Sequence, residues 1–347
     1  MNKFILFIVL IFISCKDENP VNEKILTSKK IIFNELINPQ KIFLKGDYII
    51  VFERNGIPED KAPIHLIDLI EFKYKTSCGK IGFGPGELPD AHNFDFGFND
   101  STFWVYSALD KKINEFSLFF YNDLALNQIK QSEQFYKVYS ALFSEEEKFI
   151  GLQVDSPHRF IEFDILNGQE EGFGKLKNFT DLKIEDSFLL SQLNMGWFGS
   201  SQNKSIFAVA YNFFPVVEIF HKETQEFYYF IKDESFKPKF KIQGNTGNDF
   251  IFWDLNSPYQ FRDIWITDKH IFALFGGYSE NQIQKQSTVA KQVYKLSLKG
   301  ELIEIYNLDR SINNFAVNNS EDLIIGLTTD ENPGIAIFEI NDNAVPK

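Results

Sequence analysis

Short runs of alternating apolar and polar residues recur along most of the chain, and polar turns separate them. Residues 41–53 give the clearest example, because two apolar runs flank the tight-turn dipeptide Gly46-Asp47. Alternation with a period of two is typical of β-strands that bury one face. The chain is also rich in aromatic residues, at 16% with 39 Phe and 13 Tyr, and this favours strands over helices.

The runs group into six sets, each reading strand, polar turn, strand, loop, strand and usually a fourth strand. The sets repeat every ~45–55 residues, which is the spacing of β-propeller blades. Their predicted first strands are 41–45, 93–98, 137–143, 189–198, 261–266 and 313–317. The sixth set stops after its third strand, and a spare strand over 29–36 is expected to supply the missing outer edge.

We therefore predict an all-β fold, a six-bladed β-propeller whose ring is closed by an N-terminal strand in the last blade. A pair of β-sandwiches is the alternative. Residues 236–247 are predicted as a long inter-blade loop, and 278–286 as a polar insertion that helps to shape one rim.

The first fifteen residues have the pattern of a secretory leader that ends at a cysteine. A positive start precedes an unbroken apolar run over 4–13, and the chain turns polar after Cys15. The run is too short to span a bilayer, which needs about 20 residues, and residues 12–15 resemble a bacterial lipobox. We expect cleavage before Cys15 and acylation of its thiol. An uncleaved anchor and a plain secretory signal are the alternatives.

This leader sets the expected organisation of the chain and its location. The segments are a signal peptide over 1–14, a lipidated tether over 15–23, the propeller over 24–341 and a C-terminal tail over 342–347. Lys16-Asp17-Glu18 resembles the short tag that sends some lipoproteins of Bacteroidota to the outer face of the outer membrane. We expect a lipid-anchored protein of the bacterial outer membrane, and both the periplasmic and the cell-surface side stay open.

The charge and the cysteines exclude some kinds of partner. The formal net charge of −13 disfavours contact with the negatively charged phosphate backbone of DNA or RNA, so no nucleic-acid binding is expected. The chain has two cysteines, and with lipid on Cys15 no disulfide can form within it. Cys78 is then expected to be a buried, inert thiol, and one cysteine cannot build a Cys-rich zinc site.

The most distinctive internal motif is the glycine-rich string over 79–88, Gly-Lys-Ile-Gly-Phe-Gly-Pro-Gly-Glu-Leu. Phosphate binding is not expected there, because a strand follows the loop where a phosphate site needs a helix. Together with 261–277 and 300–309, the string resembles the TolB-like six-bladed β-propeller lipoproteins of Bacteroidota. The resemblance implies the fold and an outer-membrane-associated location, and it carries over no catalytic residue.

Polar residues near the starts of the first strands are the candidate binding residues, because first strands line the central channel of a propeller. Besides Lys41, the candidates at the channel mouth are His92, Asn93, Asp95, Asn194, Arg262, Asp263, Asn313 and Asn314. His92, Asp95 and Asp263 could jointly hold a metal if their side chains converge, and calcium would accept such oxygens. The alternative is that these groups pair with one another, Arg262 and Asp263 forming an inter-blade ion pair. We assign no metal ligand, no catalytic residue and no cofactor.

The sequence favours a binding protein over an enzyme. It contains no His-Glu-x-x-His pattern and no Gly-x-Ser-x-Gly elbow. We expect a monomeric propeller that binds a protein partner, for example in the outer membrane, or an extracellular ligand. The alternative is a metal-dependent propeller enzyme of the lactonase or lyase type with its site in the channel. Paired amides and aromatic rings in the channel would favour binding, and three carboxylate or imidazole groups meeting at one point would favour the enzyme.

Overall fold

The computed structural model describes residues 21–340 apart from positions 55, 59, 134, 246 and 247. The signal peptide over 1–14, Cys15 and the tail over 342–347 lie outside the described residues. No helix in the described part of the chain is long and apolar enough to cross a membrane.

Two short strands open the described chain, and four separate sheets of four consecutive antiparallel strands follow. The opening strands are β1 (Asn22–Leu26) and β2 (Ser28–Ile31). The strands of blade 1 are β3 (Pro39–Lys45), β4 (Tyr48–Glu53), β5 (Ile64–Asp68) and β6 (Tyr74–Cys78). Those of blade 2 are β7 (Asn93–Asp95), β8 (Thr102–Ser107), β9 (Lys112–Ser117) and β10 (Asn127–Lys130).

Blades 3 and 4 continue this arrangement, with a short helix between them. The strands of blade 3 are β11 (Val138–Glu145), β12 (Lys148–Gln153), β13 (Phe160–Asp164) and β14 (Glu170–Phe173). Helix α1 (Ser187–Leu193) precedes blade 4, whose strands are β15 (Gly196–Ser200), β16 (Ile206–Tyr211), β17 (Val216–His221) and β18 (Glu226–Ile231). A two-stranded hairpin then follows, formed by β19 (Phe240–Asn245) and β20 (Asn248–Trp253).

Blades 5 and 6 form one continuous sheet, because a single long strand belongs to both. The remaining elements are β21 (Phe261–Ile266), β22 (His270–Phe275), α2 (Glu280–Gln286), β23 (Ala290–Ser297), β24 (Leu302–Val317), β25 (Leu323–Thr328) and β26 (Ile335–Glu339). The first part of the 16-residue β24 pairs with β23 as the outer strand of blade 5. Its second part pairs with β25 as the inner strand of blade 6.

The two N-terminal strands lie at the outer edges of blades 5 and 6. β1 runs parallel to β24, with Asn22 opposite Glu304, and β2 runs antiparallel to β26, with Ile31 opposite Ile335. The strand expected over 29–36 is therefore present but ends at Ile31, because residues 33–36 form a turn in which the Leu36 amide donates to the Phe33 carbonyl at 3.1 Å. The strands also begin earlier than expected, since β1 starts at Asn22, inside the predicted tether over 15–23.

The inner strands β3, β7, β11, β15, β21 and β24 follow one another around the centre. The Phe43 ring of β3 stacks on Phe94 of β7, with ring centroids 5.3 Å apart. At the other side of blade 1, the Ile42 amide donates to the Asn314 side-chain oxygen of β24 at 2.6 Å. Blade 1 thus contacts both blade 2 and blade 6, as a ring of radially arranged sheets requires.

Two predicted elements are wrong. The first strand of the fourth set was expected over 189–198, but residues 187–193 form α1, because the Asp186 carboxylate caps the helix by accepting from the Leu189 amide at 2.8 Å. The predicted loop over 236–247 instead begins the β19–β20 hairpin, which buries Ile251 against blade 4. The short outer strands β10 and β14 were not predicted.

The glycine-rich string over 79–88 forms a compact loop that its own carboxylate organises. Glu87 accepts a hydrogen bond from the Gly84 amide at 2.9 Å and pairs with Lys80 at 2.7 Å. A side chain on Gly82 would place its Cβ 2.0 Å from the Glu87 carboxylate, so a larger residue there would displace the carboxylate that organises the loop. The Gly86 amide donates to Gln128 at 2.8 Å. The loop therefore ties blade 1 to the outer strand of blade 2.

Cys78 ends β6 as a free thiol that is 2% exposed. Burial raises its pKa to about 12, so the thiol stays protonated and unreactive at neutral pH. The prediction of a buried, inert thiol is confirmed.

Candidate functional site at the central channel

The inner strands enclose a narrow channel at the centre of the ring. Its middle leaves a cavity of about 60 Å³ between Lys41, Asn93, Asp263, Asn314 and the aromatic rings of neighbouring strands. This is room for a few water molecules, whereas sites for organic ligands measure about 300–1,000 Å³. Phe43, Phe96 and Trp265 narrow the channel by packing on one another with ring centroids 4.7–5.8 Å apart.

A chain of hydrogen bonds joins blades 5, 6 and 1 across one side of the channel. The Asp263 carboxylate of β21 accepts from the Phe315 amide at 2.9 Å and from the Asn314 side-chain amide at 2.5 Å. Asn314 in turn accepts from the Ile42 amide at 2.6 Å. Each of these polar groups therefore holds a neighbouring inner strand in register.

The same corner carries a cation that faces the carboxylate. Burial raises the pKa of Asp263 to about 6, although Lys41 and the Phe315 amide act in the opposite direction. Burial also lowers the pKa of Lys41, and Asp263 partly offsets this effect. The Lys41 ammonium lies 4.9 Å above the Trp197 ring of blade 4, where the ring face stabilises the charge.

Asp95 lies in a second polar cluster, which joins blades 2, 3 and 4. Both carboxylate oxygens lie 2.8 Å from the Lys204 ammonium, and one also accepts from the Phe143 amide at 2.9 Å. Asp95 and Lys204 are 3% and 5% exposed. Burial lowers the pKa of Lys204, and the charge of Asp95 opposes this shift. Lys204 is not among the candidate residues that the sequence predicted.

Asn93 and His92 also contact other residues of the propeller. Asn93 is buried and donates to the Ser140 hydroxyl of blade 3 at 2.7 Å. His92 packs against the Tyr106 ring edge-on, with centroids 6.2 Å apart. Burial lowers its pKa to about 3, and the charges of Lys41 and Lys111 add to the shift. The imidazole is therefore neutral at physiological pH.

Three predicted site residues are placed differently from what the sequence suggested. Arg262 does not pair with Asp263; its guanidinium lies 4.4 Å above the Tyr259 ring, and its buried Nε has no hydrogen-bond partner among the described residues. Asn313 likewise has a buried side-chain oxygen without a partner in the described structure. Asn194 caps the end of α1 instead of starting a channel strand, because the helix replaces the predicted strand.

The proposed metal constellation is not assembled. Asp95 is bound to Lys204, while Asp263 belongs to the cluster around Asn314. Among the residues that the structure describes, no group of three or more His, Cys, Asp or Glu side chains is arranged to hold a metal ion. Of the polar residues that the sequence placed at the channel mouth, Asn93, Asp95, Asp263 and Asn314 thus connect neighbouring blades.

Comparison with known proteins agrees with this ring. A family model described as TolB-like 6-blade propeller-like matches residues 16–320. The chain belongs to this family. The solved structures that it resembles include a member of the DUF4221 family from Bacteroides vulgatus, with 11% identity and a TM-score of 0.50 over 90% of this chain and 97% of that one. No curated protein matches the sequence.

A second similar structure is the β-propeller domain of Cps50 (Swd1) from Myceliophteria thermophila. It shares 10% identity with a TM-score of 0.47, over 91% of this chain and all of that one. At such identities the similarity concerns the fold alone. The six-bladed assignment accordingly rests on the family match and on the strand pairing described above.

This TolB-like propeller also contains a buried charge cluster between blades 3 and 4 that sequence reasoning missed. The Arg159 Nε donates to Glu218 at 2.6 Å, and the hydroxyls of Tyr211 and Tyr229 each lie 2.7 Å from the same carboxylate. The Tyr211 hydroxyl also lies 2.8 Å from Asn194. Burial acts against the charge of Arg159, but Tyr211 and Glu218 outweigh it and raise its pKa. Arg159, Tyr211 and Glu218 are buried and Tyr229 is partly buried, so the cluster joins the two blades from within.

Larger cavities of the TolB-like propeller lie outside the narrow channel. One of about 520 Å³ opens at the end of the channel beside Lys45, Lys204 and Asp268. The larger one, of about 710 Å³, lies against the β19–β20 hairpin on the side of the ring. Both fall within the volume of sites that accept organic ligands or peptide segments.

Proposed function

We propose that this TolB-like propeller is a binding module, held at the outer membrane by lipid on Cys15, and that it catalyses no reaction in its channel. The observation that carries the proposal is the use of the channel's polar groups. Asp95, Asp263, Asn93 and Asn314 each bond to a neighbouring blade. These four groups hold the ring together, so in the described structure their side chains are already bonded within the fold and are not free to act as acids or bases.

A rigid ring with a blocked channel offers its surface loops and side grooves to partners. Loops and insertions carry binding in many scaffolds because they vary without disturbing the core. Here the hairpin between blades 4 and 5 and the α2 insertion are such additions. The expected partner is a protein or an extracellular ligand close to the membrane.

The location is proposed from the leader. A cleaved and acylated Cys15 would leave a short polar tether before β1, which starts at Asn22. Stable anchoring needs more than one acyl chain, since a single chain gives marginal membrane binding. A multiply acylated cysteine would meet this need and would keep the ring close to the membrane.

Acyl labelling tests the anchor. In the native host fed a labelled fatty acid, Cys15→Ala should lose the label and leave the membrane fraction. Cys78→Ala is the matched control, since it removes the other cysteine, and it should keep both the label and the membrane association. Label that persists in Cys15→Ala would overturn the anchor.

Metal analysis and cross-linking test the binding role. Elemental mass spectrometry on the purified full chain should find no stoichiometric metal; a bound metal that is lost in His92→Ala and Asp263→Ala would overturn the proposal in favour of the enzyme.

A photoreactive amino acid at exposed positions of different blades and of the hairpin, such as 70, 120, 166 and 252, should give a discrete cross-linked adduct on one face in native membranes. Adducts at no position would argue against a binding module.

A further inference from the structure

A cavity of about 710 Å³ lies beside the hairpin, outside the channel. Its walls are residues 237–241 and 252–256 together with residues 180–182 and Asn281. Blades 1 to 3 have no hairpin of this kind after their fourth strands in the described chain. The groove is therefore an addition to the basic ring.

The hairpin has one face in the core and one face in solvent. Ile251 is 8% exposed, and Phe240 and Trp253 pack with it against the hydrophobic core of blades 3 and 4. Side chains alternate along a strand, so Lys241 and Phe252, which are opposite each other across the ladder, share the outer face. Phe252 is 52% exposed. An exposed aromatic ring thus lies beside an exposed ammonium.

The groove is rigidly supported from beneath. Trp253 stacks on Phe213 with ring centroids 3.9 Å apart and planes 12° from parallel, and Phe213 packs on Tyr259 at 4.9 Å. The Ile251 amide donates to Gln192 of α1 at 3.0 Å. A preformed surface of this kind loses little freedom when a ligand binds.

The groove is basic although the protein as a whole is acidic. Lys237, Lys239 and Lys241 line it. Lys237 pairs with the exposed Asp181 at 2.8 Å, whereas Lys239 and Lys241 form no ion pair within 4 Å among the described residues and act only at longer range on Asp254, which also lines the groove. The lining thus carries three lysines against two aspartates, and on a chain with a net charge of −13 this positive excess forms a local site for negative charge.

Exposed apolar side chains accompany these lysines. Leu182, Phe252 and Leu255 are 53%, 52% and 60% exposed, and all three line the groove. Contiguous exposed apolar surface with a polar rim is typical of interaction sites. A ligand for this groove would therefore offer both carboxylates and a bulky apolar group.

We propose that the hairpin groove binds an acidic peptide segment of a partner protein, with carboxylates on Lys239 and Lys241 and an apolar side chain against Phe252 and Leu255. The inference rests on the proposed binding function and names the chemistry of its partner. A neutral carbohydrate fits less well, because it offers no charge to the two lysines and because one face of Trp253 is already covered by Phe213.

Selection from a phage-displayed library of random dodecapeptides tests the proposal on the purified full chain. The enriched peptides should carry net negative charge and at least one aromatic or large aliphatic residue. The Kd of the most enriched peptide is then measured by fluorescence anisotropy at low and high salt. The double variant Lys239→Glu/Lys241→Glu should raise this Kd at least tenfold, and Phe252→Ser should also raise it. High salt should weaken binding because the contacts are exposed charges.

The matched control is Lys29→Glu/Lys61→Glu, which makes the same charge change at exposed lysines of blades 6 and 1. Because neither lysine lines the groove, the control should change the Kd by no more than about twofold, which corresponds to ~0.4 kcal/mol in binding free energy. No enrichment, enrichment of neutral or basic peptides, or an equal loss in the control would overturn the proposal. If the groove proposal fails in this way, cross-linked adducts at positions away from the hairpin in native membranes would still support the broader binding function.

Discussion

Asp263 shows how a single carboxylate can be both a connection between blades and a source of pH dependence. It is 8% exposed and binds Asn314 and Phe315 of the next blade. Its pKa is raised by burial from 3.8 to about 6. Between these pH values the folded protein binds more protons than the unfolded chain, so the free energy of unfolding falls as the pH rises.

We expect Asp263→Asn to remove this part of the pH dependence. Between about pH 4 and pH 6.5, the free energy of unfolding of the wild type should fall by on the order of 3 kcal/mol relative to that of the variant. The reason is that only the wild type must ionise a buried acid in that interval. Urea unfolding at several pH values measures the difference. Asp268→Asn, an exposed carboxylate, controls for the loss of one charge, and an Asp263→Asn difference that is constant with pH would contradict the argument.

The Asp95–Lys204 pair should be strongly coupled because both partners are buried. Removing one partner, as in Asp95→Asn or Lys204→Met, should lower the free energy of unfolding by about 3–5 kcal/mol, because the other partner remains as an unpaired buried charge. The double variant should lower it by clearly less than the sum of the two single effects. A double-mutant cycle by urea unfolding measures the coupling.

Glu71 and Lys73 provide the matched control for this cycle. Their charges lie 3.1 Å apart but the side chains are 54% and 73% exposed, so the coupling should be about 0–1 kcal/mol. Equal coupling in the two pairs would mean that burial is not what makes Asp95 and Lys204 depend on each other.

At the residue scale, the sequence identified several of the right polar residues but not their partners. Asn93, Asp95, Asp263 and Asn314 do lie on inner strands, as the repeat predicted. Lys204 is 109 positions from Asp95, and no local sequence pattern predicts an ion pair between residues so far apart. The metal constellation of His92, Asp95 and Asp263, which the sequence analysis left open, is not assembled among the described residues, because one sequence cannot show which side chains meet across a ring.

At the scale of elements, local signals outweighed the repeat in the segment between blades 3 and 4. Asp186 followed by Leu189, Leu190 and Leu193 has the capping residue and the apolar spacing of a short helix. The repeat nevertheless predicted a strand from 189 onward. The hairpin over 240–253 was also missed, since its turn residues were interpreted as a loop.

The cap of α1 should support the hairpin as well as the helix. Gln192 bonds to the Ile251 amide, and Phe188 packs edge-on against Phe250 at 5.4 Å. We expect Asp186→Ala to lower the free energy of unfolding by about 1 kcal/mol, the usual value of an N-cap, and to speed amide hydrogen exchange in residues 248–253. Glu185→Ala, the neighbouring exposed acid, is the matched control. Unchanged exchange in the hairpin would show that α1 does not hold it.

At the scale of the whole molecule, the predicted architecture was right because it depends on periodicity. Strand alternation and a regular set length need no knowledge of contacts, so the all-β six-bladed propeller followed from the pattern. Blade edges were less predictable. The short strands β10 and β14 have only four residues each, too few to show an alternation.

The role of the N-terminal strands in closing the ring is testable by deletion. Removing residues 21–36 deletes both β1 and β2, exposes the edges of β24 and β26, and should lower the melting temperature by about 5 °C or more, as a loss of a few kcal/mol would. Deleting residues 16–20 is the control, since it shortens the chain and leaves both strands. A melting temperature that is equal in the two deletions would argue against closure.

The long strand β24 has a mechanical consequence for an anchored protein. β1 runs parallel to it through five residue pairs, reinforced by an ion pair between Lys24 and Glu304 at 3.0 Å. In the lipid-anchored form that we propose, a pull from the membrane would reach the described strands first at β1, which starts at Asn22. A pull along β1 would load the hydrogen bonds of the β1–β24 ladder together, and β24 would pass the tension into two blades at once. The attachment point would then act as a shear joint that shares the load between two blades.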